Sequence, residues 1–80
     1  MASPTTLPLR AQLAATKALP PPAMRRAIRL AAGVTITQVA QEVGVTRQAV
    51  HFWECGLRRP IGAHLIAYLK VLELLREAAE

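Results

Sequence analysis

An all-α fold, a compact bundle of about five helices, is what this 80-residue sequence predicts. Three observations predict it. Apolar residues make up 52% of the chain and recur mainly at three- and four-residue intervals, the spacing of one helix face. Aromatic residues are only 4%, and β-branched residues show little alternation, which disfavours a sheet. Glycines and prolines stand at the ends of the periodic segments, where helices stop. The length suffices for one small domain, whose core only just offsets chain entropy.

Residues 1–21 read as an N-terminal arm with a short helix, and residues 22–80 as the domain proper. The opening MASPTTLP looks turn-like and mobile. LRAQLAATKAL, Leu9 to Leu19, can make about three helical turns, with Leu9, Leu13 and Ala14 as its apolar face. Pro20 to Pro22 stop it, because proline lacks an amide donor and restrains its predecessor. Pro22 suits the first turn of the next helix, in which Met24, Ala27, Ile28 and Ala31 share a stripe. Arg25, Arg26 and Arg29 then lie mostly outside that stripe, and Gly33 ends the helix in a left-handed conformation.

Thr35 is a candidate N-cap for a helix over about 36–43 that buries Val39, Ala40 and Val43. Gly44 permits a tight turn, and Thr46 caps a helix over about 47–55. Val50 and Trp53 face inward there, which leaves Arg47, Gln48, His51 and Phe52 outside. CGLRRP is a loop. Gly62 to Ala79 forms one long helix, or two joined by a slight bend. Within it Leu65, Ile66, Leu69 and Leu72 are expected to close the core. Tyr68, Val71, Leu74 and Leu75 would then form a second apolar stripe that a partner or the Leu9–Leu19 helix must cover.

The net charge is +5, with no aspartate and no acidic residue before Glu42. Arg10, Lys17, Arg25, Arg26 and Arg29 stand unopposed, whereas Glu73, Glu77 and Glu80 cluster at the far end. So lopsided a field attracts a polyanion, most commonly nucleic acid. Cys55 is the only cysteine, which excludes an intrachain disulfide and fits a reducing cytoplasm. No apolar run approaches the ~18 residues of a membrane span, and the opening residues lack a secretory pattern.

Catalysis finds no support. Glutamates are mostly terminal, Ser3 is the only serine, and no nucleophile has a base beside it, so the chain is not expected to be an enzyme. His51, Cys55 and His64 are three unpaired ligands where structural zinc wants four in paired spacing. No metal or cofactor is expected.

A small first helix, a glycine turn and a second helix with a free polar face suit the major groove, which is about 12 Å wide. Arg47 can pair with guanine O6 and N7, and Gln48 with adenine N6 and N7. Phe52 can press on a thymine methyl, and His51 can bond a base edge or a phosphate.

Residues Arg25 to Leu75 resemble the helix-turn-helix family of phage repressor and Cro proteins, the XRE-type regulators. The carriers are RAIRLAAGVT, VAQEVGVTRQAV, WECG and RRP, with Arg29, Gly33, Thr35, Ala40, Gly44, Val50, Glu54, Gly56 and Pro60 in order. The resemblance implies a lambda repressor-like bundle in which Arg47, Gln48, His51 and Phe52 contact bases. It also implies a buried salt bridge between Arg29 and Glu54. Family members usually carry glutamine where this chain has Ile36. Thr35, Thr37 and Gln38, with Thr46 at the head of the second helix, are the candidates for the phosphate contact. Arg58 and Arg59 are expected on the DNA backbone, while Arg25 and Arg26 fit either a phosphate contact or plain solvation.

The expected function is that of a sequence-specific, double-stranded DNA-binding transcriptional regulator, cytoplasmic and nucleoid-associated, a repressor of phage or mobile-element type. It would act as a homodimer through its C-terminal helix. An antitoxin would use the same core and mask a toxin with that helix. An excisionase or MerR-like factor would need a β-wing after Pro60. A pure protein-interaction module would leave Arg47 and Gln48 without a purpose.

Overall fold

Local signals set the helix ends. In the computed structural model, which describes residues 8–80, regular structure is helical throughout. The lead-in expected before Pro8 lies outside the described residues. The helices are α1 (Leu9–Ala18), α2 (Pro22–Ala31), α3 (Ile36–Val43), α4 (Arg47–Cys55) and α5 (Gly62–Ala79). The stretch after Pro60 is therefore helical, where the winged alternative requires strands.

Each stop has a physical cause. Pro22 occupies the first turn of α2, where its missing amide costs nothing. Thr35 and Gln38 close a reciprocal capping box at the start of α3: Gln38 N donates to Thr35 Oγ1 at 3.1 Å, and Thr35 N to Gln38 Oε1 at 2.9 Å. Gly44 ends α3 at φ 87°, and its N–H donates to Ala40 O at 2.8 Å. A Cβ on Gly44 would meet nothing within 4 Å, so the torsion, not crowding, requires glycine.

The core lies where α2, α3, α4 and α5 converge. Ile28, Val39, Ala40, Val43, Val50, Trp53, Tyr68, Val71, Leu72 and Leu75 form one buried cluster. Trp53 and Tyr68 meet with ring centroids 4.8 Å apart, tilted by 49°, an attractive aromatic geometry. Helix α1 packs along α5 and buries Ala15.

Three helix faces differ from the sequence-based expectation. On α1, Leu9, Leu13 and Ala14 are exposed, and Ala15 is the residue that turns inward. On α2 the inward positions are Arg25, Ile28 and Arg29, continued by half-buried Ala32 at the C-cap, a stripe rotated by one residue. Met24 is 48% exposed, and Ala27 and Ala31 face solvent. The apolar stripe failed there because α4 offers α2 hydrogen-bond acceptors, which two arginines satisfy better than methyl groups would. On α5, Tyr68, Val71 and Leu75 belong to the core together with Leu65 and Leu72, so only Leu74 remains largely exposed, at 57%. The supposed second stripe is mostly core because α5 packs against α2 and α3 as well as against α1.

Candidate nucleic-acid interface

Helix α4 divides into two faces. Val50, Trp53 and Glu54 are buried, whereas Arg47, Gln48 and His51 are exposed and Phe52 is half-buried. Thr46 starts the helix, accepting from Ala49 N through Oγ1 at 3.1 Å. Gly56 ends it at φ 77°. Four sequence-predicted base readers therefore sit on one short helix whose opposite face is fixed in the core.

The anchor is electrostatic as well as apolar. Arg29 grips Glu54 with two parallel bonds, Nε to Oε2 at 2.6 Å and Nη2 to Oε1 at 3.0 Å. Its remaining Nη1 donates to Val34 O at 3.0 Å, where the chain leaves α2. Both side chains are nearly inaccessible. The hydrogen bond to Glu54 raises the guanidinium's already high pKa, against desolvation that lowers it. Such a fork is the geometry arginine forms best.

Phe52 is half-covered because Arg58, from the loop after α4, lies over its ring, with Cζ 5.8 Å from the centroid. This is a cation–π contact that ties the loop to the reading face. His51 also lies beside Phe52, with ring centroids 6.1 Å apart. Its Nε2 is 3.6 Å from Cys55 Sγ. Among the described residues, no three His, Cys, Asp or Glu side chains gather as a metal site.

The expected phosphate-contacting residues divide. Thr35 and Thr37 border an open hollow at the N-terminus of α3, which Arg47 also lines. Amide donors and the positive end of a helix dipole suit an anion there. Gln38 borders a different hollow, beside Leu74 and Val71 of α5, and its side-chain oxygen is committed to the capping box. Arg58 and Arg59 are exposed.

Arg25, expected either on a phosphate or in solvent, is in neither place. It is buried, at 7% exposure, and donates to the carbonyls of Pro20 and Trp53 at 2.7 and 2.8 Å. No sequence signal marked it, since its acceptors are backbone atoms on other segments. The capping role of Gln38 was not anticipated either, although its signal, a Thr-x-x-Gln pattern, is present in the sequence. With Arg25 and Arg29 both inside, the outward basic field rests on Arg47, Arg58 and Arg59 near α4, and on Arg10, Lys17, Arg26, Lys70 and Arg76 elsewhere.

A helix-turn-helix family model matches residues 26–77, well over half of the chain. This protein belongs to the XRE-type helix-turn-helix family of phage repressor and Cro proteins. No curated protein and no solved structure matches it significantly. This XRE-type protein is a DNA-binding transcription regulator, and its partner is double-stranded DNA. The family is a DNA-binding domain, not a catalytic one. Among the described residues, no helix is long and apolar enough to cross a membrane.

Proposed function

We propose that the protein is a sequence-specific repressor of phage or mobile-element type that reads the major groove with the helix from Thr46 to Cys55. One observation carries the reading: Arg47, Gln48 and His51 are exposed on α4, while Val50, Trp53 and Glu54 on its other face are buried. Arg47 and Gln48 have the donor patterns that discriminate guanine and adenine in that groove. His51 and Phe52 extend the contact along the same face. Thr35, Thr37 and Thr46, at the helix starts, hold phosphates together with Arg58 and Arg59, while Gln38 supports them by capping Thr35. Repression follows from occupancy, because a bound regulator of this kind excludes other proteins from its site.

The protein acts as a homodimer through α5. Exposed Leu74 and the apolar hollow it borders with Val34, Val71 and Leu75 support this, and two-fold pairing is the usual arrangement for small homo-oligomers. The half-sites then lie about 34–36 Å apart, one turn of the duplex. The same surface also supports a second reading, an antitoxin whose α5 holds a toxin.

Selection of bound sequences from a random duplex pool tests the first reading. A palindromic consensus with half-sites one turn apart is expected. Recovery of unenriched sequence would refute sequence-specific reading. Light scattering of the purified protein separates the remaining alternatives: twice the chain mass supports the homodimer, and a monomer that pairs only with a co-expressed partner supports the antitoxin.

A further inference from the structure

Arg25 precedes the family match, which begins at residue 26, and it is a buried cation without a carboxylate. Among the described residues, the one carboxylate nearby in the core, Glu54, is already gripped by Arg29. Burying an unpaired charge is expensive, so what Arg25 holds is of interest. Its Nε donates to Pro20 O at 2.7 Å and its Nη1 to Trp53 O at 2.8 Å. Trp53 lies in the last turn of α4, where carbonyls lack an intrahelical donor and the negative end of the helix favours a cation.

A second contact joins the same two segments. A Cβ on Gly56, the left-handed residue after α4, would come within 3.3 Å of Pro22 Cγ. The Pro20–Pro22 bend therefore abuts the C-terminal end of α4 twice, once through a ring and once through Arg25. Thr46 caps the other end. The C-terminal end of α4 is held from α2 by Arg29 through Glu54 and by Arg25 through the Trp53 carbonyl, and the second of these ties comes from outside the family match.

We propose that Arg25 is a positioning residue for sequence readout. By tying the Trp53 carbonyl to the proline bend, it sets the angle at which Arg47, Gln48, His51 and Phe52 meet the base edges, and it does not itself touch DNA. This rests on the reading of α4 as the base-reading helix.

The test uses the full chain and two duplexes: one that the unaltered protein selects from a random pool, and a scrambled duplex of the same length. Arg25→Met keeps the volume and removes both donors. We expect a folded protein whose ratio of selected to scrambled affinity falls on the order of tenfold, about the loss of one bidentate base contact. The salt dependence should be unchanged, because no phosphate contact is lost. A ratio that stays constant in a folded variant reduces Arg25 to packing and overturns the proposal. Equal weakening of both duplexes, with a salt slope flatter by about 0.9, makes it a phosphate contact and also overturns it. Arg25→Lys retains the charge but replaces the fork by one compact ammonium, and it should give an intermediate ratio. If neither variant folds, Arg25 is a core residue only and the proposal fails. Arg47→Ala on the same duplexes separates the premises. An unchanged ratio there rejects α4 as the reading helix, whereas a fall there with none for Arg25→Met rejects only the positioning role.

Discussion

Glu54 joins α2 to α4. It accepts both prongs of Arg29 in the interior, and removing it leaves a buried guanidinium without an anion. Glu54→Ala should cost about 3–5 kcal/mol, measured by denaturant unfolding. Arg29→Met combined with Glu54→Leu should recover most of that loss, since a well-packed apolar pair can replace a buried ion pair. A double variant as unstable as the single one would contradict this account of the site.

Tyr68 adds a pH dependence at the same scale. Burial pushes its phenol from 10.0 up to about 12; the Glu54 carboxylate acts in the same direction, and the Arg25 and Arg29 cations oppose it. A group whose folded pKa is raised contributes stability that is fully present below the unfolded pKa and is lost as pH rises through the folded one. Stability should therefore fall between about pH 10 and pH 12. Tyr68→Phe should remove that part of the decline, as seen by thermal unfolding across the alkaline range. The hydroxyl has no hydrogen-bond partner among the described residues, so little is lost at neutral pH. The difference between the two proteins isolates Tyr68.

At the scale of elements, the turn between α3 and α4 sets the helix-turn-helix geometry. Gly44 N and Val45 N both donate to Ala40 O, at 2.8 and 3.0 Å, and buried Ala40 lets α4 pack close. Gly44 is glycine because of its φ of 87°, not for lack of room. Gly44→Ala should cost about 1–2 kcal/mol, the penalty of an L-residue in the left-handed region. Gly44→Asn should cost less, because its side chain tolerates that region better. Thermal melts that rank asparagine below alanine would contradict the torsional explanation. These ends were legible in the sequence for a simple reason. Caps, prolines and positive-φ glycines act within a few residues, so Thr35, Gly44, Thr46 and Pro22 announce themselves. The inward faces were less legible. Apolar periodicity chose Met24, Ala27 and Ala31 on α2, but the interior took Arg25 and Arg29.

For the whole molecule, the charge that meets DNA is smaller than the composition suggests. Two of the five cations in the first half of the chain are in the interior. Arg58 and Arg59 therefore matter more than their number implies. Replacing both with alanine should weaken selected and scrambled duplexes alike and flatten the salt dependence by about two units, measured by titration across a salt series. Arg58 covers Phe52, so a small additional loss of specificity is expected from its half of the pair. A salt slope that stays constant would mean that both side chains remain solvated in the complex. Helix α1 belongs to this scale too. It packs along α5, as one of the two covers expected for that helix, but through Ala15 rather than through Leu9, Leu13 and Ala14.

The order and ends of the five helices, the turn at Gly44 and the outward set Arg47, Gln48, His51 and Phe52 were determined by the sequence alone, because each depends on neighbours within one or two turns. Which side of α2 and α5 faces inward was decided only in three dimensions. A cation enters a core when a carboxylate or an orphan carbonyl waits across the interface, and Glu54 and Trp53 supply those acceptors from more than twenty residues away. No local pattern carries that information.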